Sequence, residues 1–300
     1  LPPSPTPSSP PAAGPPAQPA GPLWVAGEDL GWAVVDGALF ATDDGGASWS
    51  LRYGGPARLS AVQFVDATRG WALTPEGLLR TEDGGATWEP VAVPGPVEAL
   101  CVAPGAEGAT LWVAGARSGS APAGVVLRST DGGSTWQPRA LSLPEGPWAL
   151  ELRCAADGGW VLARDGGAAG HEAFGLLRVR GDAVAPVLQE PGTHPFGTEG
   201  VPPAAGPYAG PLVALGGEGA RFVTWCPPCE GGPTVMLTDD GGATWRTVQL
   251  PGELSSAHVP VGMAFLDRDR GWLLLRREGP GRPGLLAFRT GDGGRTWTGA

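Results

Sequence analysis

The sequence predicts an all-β fold, a β-propeller of about six four-stranded antiparallel blades, on three observations. A short pattern, Ser/Thr-x-Asp-x-Gly-x-Ser/Thr-Trp, recurs five times at near-regular spacing. A second marker, usually Gly-Trp, precedes each copy. Between these landmarks lie short apolar runs broken by Gly and Pro, with no helical periodicity.

The five copies run from Thr42 to Trp49, Thr81 to Trp88, Ser129 to Trp136, Thr238 to Trp245 and Thr290 to Trp297. Their central pairs are Asp44 and Gly46, Asp83 and Gly85, Asp131 and Gly133, Asp240 and Gly242, and Asp292 and Gly294. The gap between Trp136 and Trp245 holds a decayed sixth copy. There Gly175-Leu176-Leu177-Arg178 matches Gly77-Leu78-Leu79-Arg80 and continues as Val179-Arg180-Gly181-Asp182, a shortened turn without tryptophan. The markers are Trp32, Trp71, Trp112, Trp160 and Trp272, with Phe222 in the equivalent place. One repeat therefore reads strand A, strand B with the marker, strand C, the Asp turn and strand D. Six repeats fill residues 23–300, with a seventh blade expected only if the chain is incomplete.

The chemistry of the turn is structural. Asp-Gly-Gly supplies residues that tolerate positive φ, as a tight hairpin requires. The aspartate can accept hydrogen bonds from turn amides, and the hydroxyl residue can close the loop. The tryptophan that follows can bury roughly 150–250 Å² against a neighbouring sheet, which makes it a candidate for cement between blades.

With these turns (TEDGGATW, STDGGSTW, TDDGGATW) and markers (GWAVV, GWALT, GWVLA), the sequence resembles the BNR/Asp-box repeat superfamily of sialidase-like propellers. Within it the sequence is most similar to the photosystem II stability/assembly-factor-like propellers, which typically have seven blades. The resemblance covers residues 23–300. It implies the fold and leaves the activity open, because sialidases, xyloglucanases, sortilin-type receptors and assembly factors share the box.

Composition narrows the partners. The net charge is −10, from 30 acidic and 20 basic residues, and every basic residue is arginine. That balance disfavours a nucleic-acid backbone or an anionic membrane as partner. Residues 1–22 are mostly Pro, Ala and Ser, a linker that cannot bury enough apolar surface to fold. Such a spacer is expected after a removed signal peptide or a lipid-anchored cysteine, which places the protein outside the cytoplasm. No apolar run is long enough to span a membrane as a helix.

In an antiparallel meander the A–B and C–D turns share one end of a blade, and the B–C and D–A connections share the other. All boxes are C–D turns, so insertions concentrate at the opposite end, where binding on a rigid scaffold is expected. The candidate binding residues there are Arg117, His171, Glu172, Tyr208, Glu230, Arg276 and Arg277, with Asp36, Glu76 and His258 on the same side. The expected function is a non-catalytic binding or assembly scaffold for a protein partner. The alternative is a carbohydrate-binding or sialidase-like glycoside hydrolase propeller. No cofactor and no metal are expected, since His171, His194 and His258 lack ligand spacing. A sialidase would need an arginine triad and a tyrosine nucleophile with a glutamate partner. Tyr53 and Tyr208 are the only tyrosines, and neither has such a partner nearby in sequence.

Cys226-Pro227-Pro228-Cys229 reads as a local disulfide stiffening a B–C loop. Cys101 and Cys154 fall in the A strands of successive blades, as buried thiols or as a bridge between them. The arginine before the box (Arg80, Arg128, Arg178, Arg289) repeats in register, and that regularity points to bonding within or between blades.

Overall fold

A computed structural model describes residues 23–25, 29–44, 47–105, 108–116, 124–143, 148–155, 158–164, 173–181, 183–189, 201–205, 208–215, 218–225, 232–255, 257–265, 267–277 and 284–299. The described residues contain strands and turns and no helix. The fold is a β-propeller of six four-stranded antiparallel blades, and the chain divides into two compact units, Leu1–Ala92 and Val93–Ala300.

The first unit holds two blades. Blade one is β1 (Leu23–Val25), β2 (Gly31–Val35), β3 (Ala38–Thr42) and β4 (Ser50–Tyr53). Blade two is β5 (Ala61–Phe64), β6 (Gly70–Thr74), β7 (Gly77–Thr81) and β8 (Glu89–Val91). Each sheet is a plain meander whose strands pair in chain order.

The second unit holds four more blades of the same plan. Blade three is β9 (Ala99–Gly105), β10 (Gly108–Ala116), β11 (Gly124–Ser129) and β12 (Gln137–Leu141). Blade four is β13 (Ala149–Ala155), β14 (Gly158–Arg164), β15 (Phe174–Arg180) and β16 (Ala183–Gln189). Blade five is β17 (Tyr208–Leu215), β18 (Gly219–Trp225), β19 (Thr234–Thr238) and β20 (Arg246–Gln249). Blade six is β21 (His258–Phe265), β22 (Gly271–Arg277), β23 (Gly284–Thr290) and β24 (Thr298–Gly299).

The degenerate repeat is a full blade: Val179 and Arg180 end β15, and Ala183 opens β16. The linker 1–22 lies outside the described residues.

The strands bury both faces of strand B. Gly31–Val34 and Gly70–Thr74 are buried throughout, as is Gly158–Ala163, the pattern of a strand covered by a sheet on either side. The marker residue is the largest buried group: Trp32, Trp112 and Trp160 are each 1% exposed. The box tryptophans Trp88, Trp136 and Trp245 are only half-buried, and Trp297 is buried. More of the apolar contact between blades therefore comes from the marker than from the box. In the first unit Trp32 of blade one lies flat on Phe64 of blade two, with centroids 3.9 Å apart. Its indole N–H donates to the Gly84 carbonyl of the blade-two box at 3.2 Å.

The glycine of the marker has a steric cause. Gly70 and Gly271 face the rings of Phe64 and Phe265 on strand A. A Cβ at Gly70 would stand 2.5 Å from Phe64 Cδ1, and one at Gly271 2.7 Å from Phe265 Cδ1.

In two blades the arginine that repeats before the box covers the marker. The Arg128 guanidinium lies 5.3 Å from the centre of the Trp112 ring, and that of Arg178 lies 4.9 Å from Trp160. These are cation–π contacts within one blade, set by the pairing of Trp112 with Arg128 and of Trp160 with Arg178.

Two outcomes follow from this packing. Trp32→Ala, which removes a fully buried ring, is expected to cost about 3–5 kcal/mol; the half-buried Trp88→Ala should cost less. Denaturant unfolding of the two variants gives the order. Gly70→Ala is expected to lose about 1–3 kcal/mol by overpacking, and adding Phe64→Leu should recover part of that loss.

Candidate binding face

The two ends of a blade differ in what their side chains are occupied with. At the box end the turn is a closed hydrogen-bonded unit. In blade two the Thr81 hydroxyl donates to Asp83 Oδ1 at 2.8 Å and accepts from Gly85 N at 3.0 Å. Asp83 Oδ1 also accepts from Ala86 N and Thr87 N, both at 2.9 Å, and Oδ2 accepts from the Thr87 hydroxyl at 2.6 Å. Gly84 and Gly85 take φ of 72° and 89°, the left-handed region that lets the amides converge.

The hydroxyl-to-Oδ2 bond recurs from Ser48 to Asp44, Thr135 to Asp131, Thr244 to Asp240 and Thr296 to Asp292. Gly46 lies outside the described residues. The box is also tied to the A–B turn of its own blade. Gly84 N donates to Thr68 O, Gly241 N to Glu218 O and Gly293 N to Asp269 O, at 2.8–2.9 Å. The A–B and C–D turns thus share one end.

These bonds hold the box carboxyls in the charged form. The Ser48 hydroxyl and amide bring Asp44 down to about 2; Thr135 does the same for Asp131 and Thr244 for Asp240. Thr87 lowers Asp83 further still. For Asp292 partial burial acts in the opposite direction and is outweighed by the bonds from Thr296 and Thr290. A carboxylate with both oxygens engaged and its proton this hard to add is a poor general acid or base at neutral pH.

Sequence reasoning missed a second turn at this end. Asp66-x-x-Arg69-Gly70-Trp71 and Asp267-x-x-Arg270-Gly271-Trp272 are the A–B turns of blades two and six. Asp66 Oδ1 accepts from Thr68 N at 2.9 Å and Arg69 N at 2.7 Å, while Arg69 Nε donates to Oδ2 at 2.7 Å. Asp267 repeats this with Asp269 N, Arg270 N and Arg270 Nε. The signal was an aspartate three residues before an Arg-Gly-Trp.

A charged cleft of about 300 Å³ opens between blades five and six at the box end. Blade five carries Arg221-Phe222 where four other blades carry Gly-Trp and blade three Leu111-Trp112, and Arg221 is buried there. Its Nε donates to Gly293 O of blade six, Nη1 to Ala220 O and Thr238 O, and Nη2 to Asp239 Oδ1 at 2.9 Å. Arg295 of blade six donates to Asp239 Oδ2 at 2.7 Å. Burial lowers the Arg221 pKa, opposed by the Asp239 carboxylate. Arg221 thus reaches blade six through Nε, while Nη1 and Nη2 bond within blade five, and Asp239 links it to Arg295 of blade six.

At the opposite end, on adjacent strands, lie four of the residues singled out by the sequence. Tyr208 opens β17 and His258 opens β21, the adjacent A strands of blades five and six. His258 pairs with Arg277, and Val259 with Arg276. His258 Nδ1 accepts from Ser255 N at 3.0 Å, which fixes the ring through its δ nitrogen. Arg276 and Arg277 are exposed, and Tyr208 is half-buried. Beyond them Trp272 and Leu274 are 38% and 39% exposed, in a register where Trp160 and Leu162 are buried.

Asp36 and Glu76 occupy the short B–C turns of blades one and two, and Asp36 takes φ of 53°. Arg117, His171, Glu172, His194 and Glu230, with Cys226 and Cys229, lie outside the described residues. Among the described residues no three His, Cys, Asp or Glu side chains gather as metal ligands would.

No family model matches the chain, and no curated protein matches it. Solved structures do match. YCF48 bound to D1 peptide is 18% identical with a TM-score of 0.58, covering 93% of this chain and 79% of that one. YCF48 from Cyanidioschyzon merolae is 18% identical with a TM-score of 0.55, covering 93% and 83%. A PL25 ulvan lyase bound to -[GlcA(1-4)Rha3S]- is 10% identical with a TM-score of 0.57, covering 92% and 81%. These likenesses show the propeller fold.

The lowered box carboxyls set a pH dependence. Their folded-state pKa lies below the unfolded one, so their contribution is fully present above about pH 4. It is lost as pH falls towards 2, through the folded-state values of Asp44, Asp131 and Asp240. Melting temperature is therefore expected to drop steeply between pH 4 and 2, and less steeply in an Asp131→Asn/Asp240→Asn variant.

Proposed function

We propose that this protein is a non-catalytic binding or assembly scaffold that works outside the cytoplasm and engages a protein partner through the box-distal end of its blades. One contrast carries the reading. The box aspartates are consumed by their own turns, while Tyr208, His258, Arg276 and Arg277 stand together at the other end with both arginines exposed. Arginine and tyrosine are enriched where proteins meet, because each combines contact area with directed hydrogen bonds. A paired guanidinium also suits carboxylates of a polypeptide better than a neutral sugar ring.

Two further observations support the reading. One solved structure of the same fold is YCF48 with a D1 peptide bound to it. Cys101 and Cys154 form a disulfide, a bond that persists in oxidising compartments.

The test is cross-linking of the purified chain to an extract of the cell envelope, followed by mass spectrometry. A stoichiometric protein partner is expected, with recovery at least tenfold lower for Arg276→Glu/Arg277→Glu at unchanged melting temperature. Equal capture by that variant, or turnover of a sialoside or an uronic-acid polysaccharide, would overturn the reading. Native protein found in the cytosol with Cys101 and Cys154 reduced would remove the extracytoplasmic part.

A further inference from the structure

Within each unit, the box of one blade is clamped onto the blade before it. Blade two sits on blade one through Trp32 Nε1 to Gly84 O at 3.2 Å and Arg52 Nη2 to Asp83 O at 2.6 Å. Blade five sits on blade four through Trp245 Nε1 to Val187 O at 3.1 Å, with Trp245 edge-on to Trp160. Blade six sits on blade five through Arg221 to Gly293 O and Arg295 to Asp239.

The second box glycine packs directly on the preceding blade in all three cases. A Cβ at Gly85 would stand 2.4 Å from Leu39, one at Gly242 2.7 Å from Val187, and one at Gly294 3.4 Å from Arg221.

Blade four is different. Its C–D turn is the shortened Val179-Arg180-Gly181-Asp182, with no Asp-Gly-Gly and no tryptophan. Arg139 Nε of blade three reaches the carbonyl of Gly181 in this turn at 3.4 Å. The Trp112 indole N–H, at the position where Trp32 finds a box carbonyl, is buried without a partner. Trp160 is in the same state, but there the ring of Trp245 closes the junction.

At this one junction the two A strands are joined covalently. Cys101 of β9 and Cys154 of β13 form a disulfide with Cα atoms 5.8 Å apart, across 53 residues of sequence. Cys154 lies next to the A–B turn, at the box end of blade four. The apolar core around the bond contains Val179 and Val184, the two residues that flank the degenerate turn.

We propose that the Cys101–Cys154 disulfide replaces the missing box as the clamp between blades three and four, so that this junction alone is opened by reduction. A dithiol such as dithiothreitol supplies two electrons and two protons. The S–S bond breaks to two thiols, and the reductant closes to its own cyclic disulfide.

The experiment uses the full chain in a Cys226→Ser/Cys229→Ser background, so that one bond responds. Hydrogen exchange is followed with and without dithiothreitol. Exchange at least tenfold faster in β9, β10 and β13 is expected, with blades five and six and the first unit unchanged. No change, or equal acceleration in all blades, would overturn the proposal.

A second arm removes both sulfurs. Cys101→Ala/Cys154→Ala is expected to lower the melting temperature by roughly 10 °C. Putting the sequence of Thr238–Trp245 in place of Val179–Asp182 should restore at least half of that loss. A graft that folds and restores nothing would show that the bond is no substitute for a box. Should the double variant fail to fold, the exchange measurement on the reduced chain decides alone.

Discussion

The hydrogen-bonded closure of the Asp turn is the constraint on which the rest of the structure depends. A carboxylate that takes amides and a hydroxyl from its own loop makes the loop rigid without help from outside. Rigidity in turn presents two adjacent glycines, at positive φ and without side chains, to the blade before. The preceding blade can then approach closely enough to bury its marker ring and donate to a loop carbonyl. Where the loop is absent, as in blade four, an apolar cluster and a disulfide lie between the sheets.

The box and the marker divide the work in a way their sequence prominence conceals. The box is the more conspicuous pattern, since it combines five specified positions. The marker is a dipeptide, yet it supplies the ring that is sealed between sheets. Its glycine answers to strand A: in blades two and six a phenylalanine on that adjacent strand lies over the missing Cβ. Residues that look like separate motifs are thus halves of one packing arrangement.

Strand order, blade count and the end of the blade occupied by each box were legible in the sequence because they follow from local periodicity and turn chemistry. The degenerate fourth box was found by the lead-in Gly175–Arg178. The sequence left Cys101 and Cys154 undecided, because a disulfide depends on a distance that pattern does not encode. Arg221 escaped notice for another reason. Its position is glycine in four of the other blades, and only the fold reveals that its guanidinium crosses into the next blade's box. The candidate binding face was legible only as a set of loops. In its described part, register sets His258 beside Arg277, and the packing of two A strands brings Tyr208 to the neighbouring strand.

Stacked repeats touch mainly their neighbours, so the stability of such an assembly is close to a sum over junctions. A covalent link at one junction changes what natural selection can see there. Once sulfur chemistry carries that contact, substitutions in the adjoining hairpin cease to be costly and the hairpin is free to shorten. In this chain the worn repeat and the covalent bond fall at the same junction.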